Sequence, residues 1–599
     1  MEEELLDGMG AIVGKEGVTY RVWAPHAQKV FVTGSFNDWQ EETLPLNAEG
    51  NGYWARHVKQ SKEGDEYKFV LMNGESKLKK KDPYAKKNNN SDGNSIVYDI
   101  YKDWEDHQFK ITSFNQLVIY ELHVGTFNTE GKQEGEVGDF FTAAKKLDYL
   151  KDLGINAIEL MPVMEFMGDR SLGYNPAHQF AVETAYGGPD GLKHFIFEAH
   201  IRGIAIIMDV VYNHFGPSDM DIWRFDGWHE GDYGGIYFYN DDRAKTPWGE
   251  NRPDYGRKEV RNFMRDNAMM WLKDYQCDGL RYDATAFIRY LHMDNPLKKI
   301  ELPEGFRFLQ QLNAEIRESF PHKILIAEDL KSDMVVTAPI SKNGLGFHSQ
   351  WGPGFAHGIK RILVEIEDKH RNLQMVVESL FLRFNNDAFQ RIIYTESHDD
   401  VANGSARLPE EIQPGQADSE YAKLKSTLGA ITLLTAPGIP MIFQGQEFVT
   451  EGEFSDDQPL DWGKQKIFEG ISRLYRDLIL LRNGQQQNAI GLTGQSIETL
   501  HFNGNSLVLA FSRTHHDHPE NPCIVILNYS HQVLLDYQIG LPISGLWQVR
   551  FNSGYTGYDG DFSEVNLVEV NTEGAYDDLP FSIKVGLPKF GGIILTKSQ

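Results

Sequence analysis

Between about residue 115 and residue 445, this 599-residue chain alternates short apolar runs with helical stretches. That alternation limits the fold more than any other feature. The apolar runs are Leu117–Tyr120, Ala157–Met161, Ile204–Val211, Gly279–Tyr282, Ile324–Ala327, Arg391–Tyr394 and Ile439–Phe443, with an eighth near Gly346–Gln350. Helical periodicity separates them, as in Phe140–Leu153, Gly191–Arg202, Glu259–Tyr275, Phe306–Phe320 and Glu420–Thr435. Strands joined by helical crossovers pair in parallel. Eight such units favour a closed (β/α)8 barrel over an open sheet. The segment between Phe215 and Arg257, rich in Gly, Asp, Trp and Tyr, is then expected as a loop on the functional face.

The flanks follow another period. Val18–Trp23, Lys29–Gly34 and Tyr67–Leu71 alternate every second residue, punctuated by Asn37-Asp38 and Asn73-Gly74, which predicts a small β domain over residues 1–105. The basic, polar stretch Lys77–Asn94 reads as a linker or long loop. After about residue 490 helical periodicity stops. Ser506–Ser512, Pro522–Asn528, Gly545–Phe551, Phe581–Val585 and Ile593–Thr596 predict an antiparallel β domain over 491–599, leaving 106–490 to the barrel.

A chain this long exceeds one hydrophobic core, in keeping with three domains. Its net charge of −27 argues against nucleic-acid phosphates or an anionic membrane as partner and fits a neutral substrate. Cys277 and Cys523 fall in different expected domains, so a disulfide framework is not expected. The opening Met1-Glu2-Glu3-Glu4 lacks the basic and apolar regions of a secretory signal, and a cytoplasmic monomer is the expectation. The longest apolar stretch, Leu428–Phe443, contains Pro437, Gly438 and Pro440, and reads as a buried helix running into a strand.

Polar residues at the C-terminal ends of barrel strands face the functional site. Here they read Asp209-Val-Val-Tyr-Asn213-His214, Arg281-Tyr282-Asp283-Ala284, Ala327-Glu328-Asp329-Leu330 and Glu396-Ser397-His398-Asp399. Strand alternation puts Arg281 and Asp283 on one face, so the cation is expected to lower the pKa of the carboxylate. Glu328, crowded and buried on the next strand, is expected to stay protonated. Carboxyls split in this way perform retaining glycoside chemistry. A single aspartate at a strand end is commonly a cap or an ion-pair partner, and Asp209 reads as a structural partner of Arg281 and His214. Four polar strand ends in barrel order are much harder to produce by packing alone.

At these four motifs the chain resembles the α-amylase superfamily of glycoside hydrolases and transglycosidases. The resemblance implies Asp283 as nucleophile, Glu328 as acid-base, and Asp399 as a group that binds sugar hydroxyls and helps distort the ring. It further implies that Arg281 holds Asp283, that His214 and His398 donate to the sugar, and that Tyr174, in Gly173-Tyr174-Asn175-Pro176, forms the platform beneath it, with Asp209 in the same set. The segment Tyr20–Pro25 with Gly34–Trp39 is similar to the immunoglobulin-like, carbohydrate-binding module of glucan branching enzymes, isoamylases and trehalohydrolases; Trp39 and Trp54 are either core or glucan contacts. Trp547–Ser553 and Leu587–Gly592 resemble the all-β tail of branching enzymes. Phe287 stands where calcium-dependent members carry a histidine. The loop aspartates Asp219, Asp221, Asp226, Asp232, Asp241 and Asp242 notwithstanding, no metal or other cofactor is expected.

The resemblance leaves the acceptor open. The three-part layout favours 1,4-α-glucan branching, an α-amylase-type endo-hydrolase is the main alternative, and Leu117–Pro217 resembles maltooligosyltrehalose trehalohydrolases. A non-catalytic glucan-binding barrel is the reading from a different class, disfavoured because all three acidic positions are filled.

Overall fold

The computed structural model describes residues 5–102, 109–216, 220–291, 300–484, 487–563, 565 and 568–598. The expected boundary between residues 105 and 106, and Asp219, lie outside these. Eight parallel strands close in chain order: β1 (Ile119–Leu122), β2 (Ala157–Leu160), β3 (Ala205–Val210), β4 (Gly279–Tyr282), β5 (Ile324–Ala327), β6 (Ser349–Trp351), β7 (Arg391–Ile393) and β8 (Ile439–Phe443). Met441 of β8 pairs with Ile119 of β1 and seals the barrel. The sixth strand overlaps only the end of the expected Gly346–Gln350, because its residues Ser-Gln-Trp carry no apolar run.

Alternate residues of each strand fall into two packed groups. Ile119, Ala157, Ala205, Ile207, Ile324, Ile326, Ile392 and Ile439 fill the barrel interior, while Tyr120, Ile158, Ile206, Met208, Leu280 and Leu325 pack beneath the surrounding helices. Continuing the interior series by one pleat gives Glu121, Glu159, Asp209, Arg281 and Glu328. The barrel is apolar at its base and ionisable at its C-terminal rim.

The helices follow the expected pattern with local edits. Glu420–Thr435 is capped by Ser419, whose hydroxyl accepts from the amide of Ala422, and Pro303–Ser319 starts on proline, which costs no helical hydrogen bond there. Phe140–Leu153 is two helices, Phe140–Ala144 and Leu147–Leu153, and Lys258–Met269 continues into a π turn. Among the described residues no helix is long and apolar enough to cross a membrane.

The N-terminal strands form two four-stranded sheets. The expected linker Lys77–Asn94 begins instead inside a strand, Ser76–Lys80, paired antiparallel with Glu66–Asn73 across a turn at Gly74, where φ is +60°. Its lysines lie on an edge and pair outward, Lys77 with Glu41 and Glu42, which is how a basic run serves as a protected sheet edge. This region docks on the loop after β3: the amide of His26 donates to Asp226 at 2.9 Å, and Lys80 donates to the carbonyl of Trp223 at 3.1 Å. Trp54 donates its indole N–H to Ala24 at 3.1 Å and packs against the core. The C-terminal part is a six-stranded antiparallel sheet with a two-stranded partner.

Candidate active site

The β4–β5 register decides which side chains meet. Gly279 pairs with Ile324 and Tyr282 with Ala327, and a Cβ on Gly279 would lie 2.7 Å from the carbonyl oxygen of Ile324. Glycine therefore permits this approach. The next pair along is Asp283 and Glu328, on strands whose backbones run about 4.8 Å apart. Beyond Asp283 the chain turns through Ala284, held at φ 40° and ψ 51°, a left-handed conformation costly for a residue with a Cβ. The turn aims the amide of Ala284 at Glu328 Oε2, 2.9 Å away. Thr285 donates to the carbonyl of Glu328 and to Asp329, which also receives Arg289 at 2.6 Å. Both strand ends are thus laced together.

Arg281 sits at the centre. Its Nη1 donates to Asp209 at 2.7 Å and to Asp283 at 3.1 Å, and its Nη2 donates to Glu328 at 2.9 Å. The guanidinium lies between the rings of Trp351, 4.4 Å away, and Tyr174, 5.7 Å away. Tyr174 is carried by the loop between strands Met164–Phe166 and Pro176–Val182; its hydroxyl donates to Asp209 at 2.6 Å and its ring stacks on His398 at 4.9 Å. Asp209 is buried and holds Arg281 and Tyr174, not His214 as expected. His214 instead has Nε2 2.8 Å from the carbonyl of Tyr174 and Nδ1 against Asn213 Oδ1. Asp399 follows β7 in the open, its side chain 58% exposed, and lines a cleft of about 170 Å³ with Glu328, Trp351 and Tyr394.

Four residues of this cluster escaped the sequence reading of the site. Asn213 donates to Asp283 Oδ2 at 2.6 Å; Glu121 receives both the amide and Nδ1 of His398; Trp351 covers Arg281; and Trp248 stacks on His214 at 4.3 Å. Glu121 was reachable by strand alternation, since it closes the interior series of β1. Trp248, far along an irregular loop, carried no periodic signal.

Burial raises the pKa of Asp283, and Arg281 and the amide of Asn213 pull it back only in part. The expected net lowering by Arg281 does not occur, because removing the carboxylate from water outweighs one shared cation. Glu328 is pushed to about 7, first by burial and further by the charge of Asp283, against the pull of Arg281. Burial drives His214 down to about 4, so it is neutral. For His398 burial acts downward too, but Asp399 and Glu121 override it and hold the imidazole at about 10. Glu159 is forced well above the usual carboxyl range by burial, and its Oε2 has no hydrogen-bond partner.

Among the described loop aspartates, each has a cation or imidazole nearby: Asp221 with Lys81, Asp226 with His26, Asp232 with Arg224, Asp241 with Arg243 and Asp242 with Lys245. The described residues that bring three metal-type ligands together are His515, His516 and Asp517, within 4.8 Å of one another in the C-terminal sheet and outside the carboxylate cluster.

Known proteins sort this architecture. Residues 84–230 and 248–477 match the alpha amylase catalytic domain, residues 8–85 match carbohydrate-binding module 48 (isoamylase N-terminal domain), and residues 501–598 match the alpha amylase C-terminal all-beta domain. A 1,4-alpha-glucan branching enzyme of Oceanobacillus iheyensis is 32% identical over 91% of this chain and 88% of its own. Another, of Bacillus subtilis, is 30% identical over 97% and 93%. Among solved structures, a Bacillus subtilis pullulanase complexed with maltose superposes with a TM-score of 0.75 at 22% identity, covering 99% of this chain and 86% of that one. A Paenibacillus barengoltzii pullulanase gives 0.76 at 20%, covering 99% and 94%. At that identity the likeness speaks for the fold. The catalytic-domain match spans most of the barrel, and the rim motifs fall within it: the chain belongs to the α-amylase family.

Proposed function

We propose that this protein is a 1,4-α-glucan branching enzyme, transferring an α-1,4-linked chain to a 6-hydroxyl through a covalent intermediate on Asp283. One observation carries the chemistry: a single guanidinium touches both Asp283 and Glu328, neighbours on adjacent strands. Carboxyls gathered around one guanidinium from adjacent strands suit a retaining double displacement, for which they stand about 5–5.5 Å apart. Asp283 attacks the anomeric carbon as Glu328 gives its proton to the departing O4, so one C–O bond forms as another breaks. Glu328, now ionised, takes the proton of the incoming 6-hydroxyl; its oxygen attacks the anomeric carbon and Asp283 leaves. A pKa near 7 suits a group that must do both.

His398, held charged by Asp399 and Glu121, would donate with His214 to hydroxyls of the reacting ring, Asp399 would bind hydroxyls and help distort the ring, and Tyr174 would form the platform beneath it. Transfer to a sugar rather than to water is supported by the relatives, which bear the name of branching enzymes over nearly the whole chain. We take 1–105, 106–490 and 491–599 as the domain limits. We also take the enzyme as a cytoplasmic monomer acting on a neutral polysaccharide; the net charge of −27 supports the neutral substrate, and the unpaired Cys277 and Cys523 support a reducing compartment.

Incubation with amylose tests the assignment, following iodine colour, reducing ends and debranched chain lengths together. Branching predicts loss of colour with no matching rise in reducing ends, and new chains released by a debranching enzyme. A reducing-end rise that accounts for the colour loss would mean hydrolysis.

A further inference from the structure

One hairpin of the C-terminal sheet ends in a run of histidines. Strands Val508–His515 and His518–Asn528 pair antiparallel, and His515 stands directly opposite His518, so the whole turn is His516-Asp517. The foot of the hairpin is fixed. Arg513, two residues before His515, is buried and donates to the carbonyl of Leu492 at 2.9 Å. His515 therefore leaves the sheet from a rigid base, its side chain only 14% exposed. The turn residues lie in the open, His516 at 82% and Asp517 at 65%.

These side chains already gather. The imidazoles of His515 and His516 stack with centroids 4.7 Å apart, and that of His518 lies 5.7 Å from His515. The amide of Asp517 donates to Nδ1 of His515 at 3.2 Å; its carboxylate is 3.2 Å from Nε2 of His516 and 3.9 Å from Nδ1 of His515. One ligand atom from each of His515, His516 and Asp517 lies within 4.8 Å of the others. Ligands bonded at about 2.0–2.2 Å around a tetrahedral ion stand roughly 3.3–3.5 Å apart, so small rotations of the two exposed side chains close the set on one ion. Three imidazoles around one carboxylate make a nitrogen-rich donor set, which suits zinc, nickel or copper rather than calcium or magnesium. Glu520 lies 3.6 Å from Nδ1 of His518, the place of the outer carboxylate that orients a metal-binding imidazole through its other nitrogen.

We propose that the tip of this hairpin is a binding site for a zinc-type divalent cation, held by His515, His516 and Asp517, with His518 or a water in the fourth position. The ion joins the ends of two strands just past a shift in their register, between Arg513 and His515. The gathered ligands bind it more tightly than the unfolded chain does, so it clamps the C-terminal sheet. The site stands apart from the carboxylate cluster and does not depend on the α-glucan reading.

Calorimetric titration of the metal-stripped, full-length protein tests it, with zinc chloride and, in parallel, calcium chloride. One zinc per chain should bind, and calcium at least about tenfold more weakly. His516→Ala, and Asp517→Asn, which keeps a turn-forming residue, should each weaken zinc about tenfold or more, with circular dichroism and the rate on amylose unchanged. Electron paramagnetic resonance with one equivalent of copper(II) locates the ion: nitrogen couplings from imidazoles should appear in the parent and diminish in His516→Ala. Both substitutions fall on exposed side chains, and if one variant fails to fold the other decides. No zinc binding by the parent, calcium bound as tightly as zinc, or zinc affinity unchanged in a folded variant would overturn the site and leave the reading of Asp283 intact. A copper spectrum unaltered by His516→Ala would do the same.

Discussion

Arg281 on β4 donates to Glu328 beyond β5 at 2.9 Å, across 47 positions of sequence. The same guanidinium holds Asp283, so the two carboxyls proposed to react share one cation, and neither can move without changing the charge felt by the other. The arrangement explains how two buried acids coexist: Arg281 offsets part of the desolvation of each.

Asp283→Asn should lower turnover on the order of 10⁴-fold or more, and Glu328→Gln by about 10²–10⁴-fold, with both proteins folded. Initial rates on amylose, with circular dichroism as the folding check, measure this. Full activity in either variant contradicts the assignment.

The pH profile carries a signed expectation. In the proposed acid role Glu328 must be protonated to release the leaving oxygen, and its pKa stands at about 7 rather than the usual 4.5. Activity (kcat/KM) should therefore fall as pH rises through about 7. An alkaline limb several units higher would remove Glu328 from the acid role.

Arg281→Lys replaces a planar fork with a point charge that cannot serve three carboxylates at once. Turnover should fall roughly 10²–10³-fold. Weaker pairing also raises the pKa of Asp283 and Glu328, so both limbs of the profile should move to higher pH. A loss of rate with unmoved limbs would mean that Arg281 acts only in packing.

Glu121→Gln tests the buried imidazole. His398 titrates at about 10 in the fold and at an ordinary 6.5 unfolded, so its charge stabilises the native state fully below pH 6.5 and ceases to do so as pH rises through 10. Losing one partner should cost about 1.5–3 kcal/mol near neutral pH, since the imidazole can shed its proton. The Tm gap between wild type and variant should narrow as pH climbs toward 10. A constant gap would assign Glu121 a role independent of that charge.

Periodicity carried most of the architecture, because barrel strands buried on both faces must read as apolar runs. It failed at Ser349–Trp351, whose polar Ser349 and Gln350 are both buried on opposite faces of the strand, and at Ser76–Lys80, an edge strand made largely of lysine. Rim chemistry was legible for residues that continue a strand's alternation, such as Arg281, Asp283 and Glu328. Asn213 and Trp248 reach the site through irregular loops, where sequence spacing says nothing about direction. The sign of the shift at Asp283 also lay beyond the sequence, since it depends on how completely water is excluded there.

Trapping the covalent intermediate shows which carboxylate bonds to the sugar. The protein is incubated with a fluorinated α-glucosyl fluoride, whose covalent adduct turns over slowly, then digested and sequenced by mass spectrometry. A nucleophilic role for Asp283 predicts one fluoroglucosyl unit on its carboxylate, accumulating in wild type and absent from Asp283→Asn. A label on Glu328 or Asp399, or inversion of configuration with no adduct, would contradict it.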